Sequence, residues 1–175
     1  MTVGMVSDYV YRGSELGGAG AYTSLDYGTG GFYAGVWAIE DSTGIEYDLY
    51  LGYDTEIAGV AVGIGYTAYE YTYTDDSETE FTLSAGYGPI SVSYSDGEDD
   101  DVASATDYKV MSLSADVGIF SLTYGDYDSD DNTIDYSWNE ISTGKEIGEF
   151  SLGVTLGEAE GADYLVLDLS TGIDL

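Results

Sequence analysis

The sequence predicts an all-β fold: one antiparallel up-and-down (meander) transmembrane β-barrel of about 12 strands, filling residues 1–175 as a single domain. Three observations carry this. Apolar residues recur with period two along most of the chain, the connections alternate between tight Gly-centred turns and longer acidic loops, and the face opposite the apolar one is mostly Ser, Thr and Gly. No apolar run is long enough for a membrane-crossing helix. Few Leu and little Lys or Glu periodicity leave nothing that reads as an amphipathic helix.

The expected strands lie near 2–14, 20–27, 32–40, 45–54, 58–73, 78–88, 89–96, 105–118, 119–127, 133–146, 149–157 and 162–174. Segment 45–54 sets Ile45, Tyr47, Leu49, Leu51 and Tyr53 against Glu46, Asp48 and Tyr50. In 58–73, Val60, Val62, Ile64 and Tyr66 oppose Ala61, Gly63, Gly65 and Thr67. Segment 78–88 alternates Phe81, Leu83, Ala85 and Tyr87 with Thr82, Ser84 and Gly86, and 89–96 alternates Ile90, Val92 and Tyr94 with serines. Phe120, Leu122 and Tyr124, then Phe150, Leu152, Val154 and Leu156, repeat the pattern. "SELGGAG", "DSTG", "TDDSE", "SDGEDDDVAS", "YDSDDNT" and "EAEGA" form the longer acidic connections. "GTGG", Gly88–Pro89, Gly118–Ile119 and "EIGE" are tight, with "DTEIAG" somewhat longer. An even number of strands lets the meander close with both termini at the short-turn end. Segments 89–96 and 119–127 are short for the roughly 9–11 residues of a spanning strand, so either they extend into the acidic loops or the apolar band is thin.

Small polar residues suit a narrow, wet lumen better than a water-facing outer surface, which places the large apolar row toward lipid. Tyr53, Tyr87, Tyr94, Tyr124 and Tyr136, near strand ends, are expected in interfacial girdles. The alternative is a soluble barrel with the apolar row as its core. Three Lys or Arg stand against 34 Asp or Glu, a formal charge of −31. That argues against nucleic acid as a partner and disfavours anionic lipid surfaces, while favouring cations as counterions or as bound Ca²⁺. With no Cys and no His, disulfides, thiolate or imidazole zinc sites and a Ser–His–Asp triad are all excluded.

Three motifs stand in order in the first third of the chain: Ser7-Asp8-Tyr9-Val10-Tyr11-Arg12-Gly13, then Gly31-Phe32-Tyr33-Ala34-Gly35-Val36-Trp37, then Glu46-Tyr47-Asp48-Leu49-Tyr50 through Gly52-Tyr53. Together they resemble a family of short porin-like outer-membrane proteins of Gram-negative bacteria whose substrates are mostly undefined. The resemblance implies a membrane barrel and supplies no substrate. It places the chain in the bacterial outer membrane as a mature form without its signal peptide, with secretion as the alternative.

Arg12 is the candidate single cation of the lumen, on one face with Asp8 and Val10 while Tyr9 and Tyr11 face lipid. Its expected partner is Glu46, Asp48 or Asp8, since a charge held inside a barrel needs one. Asp26 and Trp37 complete the candidate constriction. Such a cluster either fixes barrel shape or filters ions, the carboxylates outnumbering the lone Arg. Candidate Ca²⁺ ligands are Asp99, Asp100, Asp101, Asp126, Asp128 and Asp130 in the acidic loops. Asp126, Asp128 and Asp130 have the opening spacing of a Ca²⁺ loop, but Asp131 and Ser137 stand where its Gly and Glu belong. Lys109 and Lys145 near strand ends read as snorkelling residues. Glu78 and Glu80 form a carboxylate pair of the kind used in acid–base hydrolysis, but no cleft is marked around them.

The function expected is passive passage of small ions or polar solutes with a preference for cations, with no catalysis and no required cofactor. The expected partners are the outer-membrane bilayer and small cations, with homo-oligomerisation left open. The rival readings are a non-conducting structural or cation-bridged adhesion barrel, and a soluble acid-rich secreted protein that self-assembles.

Overall fold

The computed structural model describes residues 1–40, 44–75, 77–99, 106–130 and 134–174. In chain order these form β1 (Thr2–Val6), β2 (Tyr9–Tyr11), β3 (Ser14–Gly17), β4 (Gly20–Thr29), β5 (Phe32–Glu40), β6 (Ile45–Ile57) and β7 (Val60–Tyr71). There follow β8 (Ser77–Tyr87), β9 (Ile90–Asp99), β10 (Tyr108–Val117), β11 (Phe120–Ser129), β12 (Tyr136–Ile147), β13 (Phe150–Ala159) and β14 (Ala162–Gly172). Among the described residues, twelve strands close into one antiparallel barrel, and β2 and β3 pair separately as a hairpin. The seam is β1, held to β14 (Thr2↔Gly172 to Val6↔Asp168) and to β4 (Thr2↔Ser24 to Val6↔Gly20).

Two-residue turns join most neighbours. Ala58–Gly59 and Glu160–Gly161 hold both residues at positive φ (54° and 83°, 52° and 83°), the geometry whose twist matches that of paired strands. Two expectations change here. "DTEIAG" is tight because β6 runs on to Ile57, and the acidic "EAEGA" is a two-residue turn rather than a longer loop. The two short segments resolve in favour of extension. β9 and β11 each have ten residues, with Asp96 and Asp126 paired in the sheet opposite Lys109 and Met111.

The register assigns the faces. Leu49 and Leu51 lie beside Tyr66, Phe81 and Leu83 in one continuous outer row, and Leu51, Leu83 and Tyr87 are 50%, 48% and 71% exposed. The inner row carries Glu46 and Glu80, buried at 4% and 3%. A soluble barrel needs the reverse arrangement, so the large apolar face is not a core. Accessible surface totals 10482 Å², against about 8,200 Å² for a compact soluble chain of this mass, because the lumen wall adds an inner surface.

Many Gly and many Tyr have one cause. Trp138 lies over Gly125, Tyr108 over Gly97 and Tyr164 over Gly157, each pair in register on adjacent strands. A Cβ at any of these glycines would overlap the ring above it. The lumen is therefore partly filled by aromatic rings lying flat on a glycine floor. Tyr136 belongs to this inner set, stacked 5.1 Å from Tyr127 and tilted against Trp138 at 6.2 Å, and not to an interfacial girdle. Tyr53, Tyr87 and Tyr124 do point outward.

The largest departure concerns the first strand. Segment 2–14 is not one strand, because the chain leaves the wall after Val6, held at Ser7 by a backbone bond to Leu167. It then turns into the lumen as the β2–β3 hairpin, with Arg12 and Gly13 at its tip (φ 52° and 80°).

Candidate functional site

The hairpin crosses the barrel and is held at four points on the wall. Tyr9 donates its hydroxyl to Glu46 on β6 at 2.8 Å. Tyr11 shares a 3.0 Å hydrogen bond with Tyr69 on β7. Arg12 donates Nη1 and Nη2 to the two carboxylate oxygens of Glu80 on β8, at 2.6 and 2.8 Å. Gly13 at the tip packs on Trp138 and Ala159, where a Cβ would collide. Bidentate guanidinium–carboxylate pairs fix orientation as well as charge. Arg12 also lies 4.7 Å from the centre of its neighbour's ring, Tyr11.

Burial is the largest single influence on Arg12 and opposes its charge, but the hydrogen bonds to Glu80 together with the surrounding Tyr11, Glu80 and Tyr69 groups hold the guanidinium above its ordinary pKa. Burial, followed by the nearby Glu46 charge, pushes the Tyr9 hydroxyl up, and burial does the same at Tyr11. The hairpin thus presents neutral hydroxyls and one fixed cation to an acidic wall.

The structure gives Arg12 a partner other than the three expected. Glu80 lies in the "SETEF" stretch, on the face opposite Phe81 and Leu83, so period two did mark it as facing inward. Because the hairpin tip projects across the lumen, it reaches β8 rather than β6. Glu80, engaged by Arg12, is not a free acid–base group. Tyr9 and Tyr11 also point into the lumen, not to lipid, because they belong to the hairpin and not to the wall.

Of the remaining candidates, Asp8, Trp37 and Asp48 border one cavity, and Asp26 joins it through Tyr50. Asp26 accepts from Ser24 at 2.6 Å and from Tyr50. Trp37 sits between Tyr9 and Tyr22, ring centres 5.9 and 6.1 Å away. Asp48 pairs in register with Trp37 and Tyr69, and Asp8 lies at the start of the hairpin beside it. The hairpin divides the lumen. On one side is a space of about 200 Å³ bordered by Arg12, Glu46, Glu78 and Tyr136. On the other is a larger one of about 490 Å³, bordered by Tyr9, Tyr22, Trp37, Asp48, Tyr50 and Asp168. Sequence reasoning missed the aromatic part of this site, whose signal was the repeated Gly–Tyr register across strands.

Among the described residues, no three acids converge as a metal site. Asp126 and Asp128 belong to β11, whose backbone is committed to β10, so they cannot curl around an ion as a loop does. Asp130 accepts from Lys109 at 2.6 Å on the outer surface. Asp99 ends β9 opposite Glu78, while Asp100 and Asp101 lie outside the described residues.

Solved structures share this fold. The KdgM porin superposes with a TM-score of 0.68 over 99% of this chain and 100% of its own, at 7% identity. The KdgM porin in complex with disordered oligogalacturonate gives 0.69 at 8% identity, with the same coverage. OccK8 (OprE) of Pseudomonas aeruginosa gives 0.52 at 9% identity over 94% of this chain and 60% of its own. No curated protein sequence matches the chain. The profile of a family described as bacterial protein of unknown function (Gcw_chp) matches residues 1–101, more than half of the sequence, and the chain belongs to that family.

Proposed function

We propose that this chain is an outer-membrane, porin-like barrel that passes small polar solutes and favours cations. The observation that carries the reading is the charge of the wall. Asp26, Glu46, Asp48, Glu78, Glu140 and Asp168 fall on the inner rows, while Arg12 is the one cationic side chain inside and is already paired. Lys109 and Lys145 alternate onto the outer face. A narrow, low-dielectric passage lined by one sign of charge concentrates the opposite ion. The exposed apolar rows supply the lipid-facing surface that membrane insertion needs.

The KdgM porin is described in complex with oligogalacturonate, an acidic oligosaccharide. The carboxylates of the present wall disfavour such a polyanion. The test is a reversal potential across a tenfold KCl gradient in a planar bilayer. A cation-selective pore moves it toward about 59 mV with the sign of K⁺, and an anion-selective sign overturns the reading. A barrel that stays closed is a second reading, favoured by the hairpin spanning the lumen. It predicts flotation with liposomes but no conductance.

A further inference from the structure

The space of about 490 Å³ beside the hairpin has a composition that cation-preferring passage alone does not require. Asp48 stands between two rings, Trp37 on β5 and Tyr69 on β7, each its register partner. Tyr9 of the hairpin faces Trp37 of the wall, which in turn lies beside Tyr22 on β4, with ring centres 5.9 and 6.1 Å apart. Asp48 is only partly buried and borders the cavity, while one of its oxygens, Oδ1, is closed off from water and makes no hydrogen bond. Buried carboxylate oxygens ordinarily have donors, and leaving one unmatched is costly. Arg12 does not supply the missing positive charge, because its guanidinium faces Glu80 and no cationic side chain borders this space.

We infer that the cavity binds a small organic ammonium ion, which makes such cations the substrate class of the pore; this rests on the porin reading above. An inorganic cation takes its ligands from several oxygens, and no three carboxylates of the described residues converge. An alkylated ammonium is weakly hydrated, gains from ring faces and needs a single nearby carboxylate. The volume falls within the roughly 300–1,000 Å³ of small-molecule sites. A neutral sugar could stack on the same rings. The carboxylates of Asp8, Asp48 and Asp168 around the cavity favour a cation.

The experiment has two arms. In planar bilayers, tetraethylammonium and choline are added to the barrel conducting KCl. In detergent, choline is titrated against tryptophan fluorescence, excited selectively at the red edge so that the 19 tyrosines stay dark and the signal comes from Trp37 and Trp138. The expected results are a saturable block of K⁺ current and a saturable fluorescence change that Trp37→Phe removes. Asp48→Asn weakens both by about tenfold or more. Trp37→Leu does the same to the block, and heat-modifiable gel mobility confirms that each variant is folded. Normal KCl conductance with neither block nor fluorescence change overturns the inference and leaves the porin reading standing. Absence of conductance with a Trp37-dependent choline signal overturns the pore but keeps the binding site. Equal fluorescence responses to glucose and choline, or a response unaffected by Asp48→Asn, also overturn the inference.

Discussion

Replacing Glu80 by Gln separates the ion pair from the shape of the site. Arg12 and Glu80 meet in two bonds of 2.6 and 2.8 Å, with side-chain exposures of 17% and 3%. Neutralising one partner of a buried pair strands the other charge and costs about 3–5 kcal/mol. Gln keeps a hydrogen-bonding oxygen and Arg12 keeps some contact with water, so the lower end applies. At about 1.4 kcal/mol per factor of ten, a loss of about 3 kcal/mol raises the population with a released hairpin roughly a hundredfold. Trypsin reads that population, because the chain offers it only Arg12, Lys109 and Lys145. The two lysines are in the wall strands β10 and β12. Opening is fast relative to cutting at low protease, so the cutting rate follows the open fraction. The Gln variant should be cut after Arg12 roughly a hundred times faster than the parent, with β1 still paired in the wall and the barrel band still heat-modifiable on a gel. Equal rates in two folded proteins would refute the idea that this pair holds the hairpin in place.

Tyr9→Phe removes one donor from Glu46 and should speed the same cleavage by about one to two orders of magnitude, since a hydrogen bond to a charged group contributes about 1.5–3 kcal/mol. Leu83→Arg, near the middle of β8 on the outer face, should cost about 2–4 kcal/mol of folding free energy in vesicles, measured by urea titration. A change within about 0.5 kcal/mol would mean that this face meets water. Gly125→Val should destabilise the barrel by about 1–3 kcal/mol or block its folding, since the new side chain collides with the Trp138 ring. Gly172→Ala, with open space around it, should be neutral in the same titration.

Period two made the barrel wall legible. Ile45–Ile57, Val60–Tyr71 and Ser77–Tyr87 differ from the expected strands by a few residues, and their apolar rows fall outside as the small polar opposite face implied. The same rule failed at residues 7–14 for a physical reason. Alternation tells which residues share a face, but not whether the segment stays in the wall. "VSDYVYRG" alternates whether it runs along the barrel or across it. Tyr is equally at home against lipid and against a polar lumen, so Tyr9 and Tyr11 could not decide between them. The Arg12–Glu80 pair was beyond reach because it depends on where a folded-back tip lands. Inward orientation of Glu80 was readable, and its partner was not.

The hairpin also sets an order of assembly. Its partners lie far along the chain, 37 residues away at Glu46, 58 at Tyr69 and 68 at Glu80, with the packing contact Trp138 further still. Loop closure over such distances grows only slowly in cost, about 0.6 kcal/mol per doubling. Chronology is the harder constraint, since Glu46, Tyr69 and Glu80 come within reach only as β4 to β8 curve round from β1, and Trp138 only once β1 has met β14. Residues 7–19 must therefore wait, unanchored, inside a ring that is still closing. A barrel that seals with this segment outside would have every wall strand paired and still lack its lumen contacts. The hairpin is thus the last part of the fold to reach its final place, and a late, slow phase confined to Arg12 and its neighbours is the signature such a route would leave in refolding.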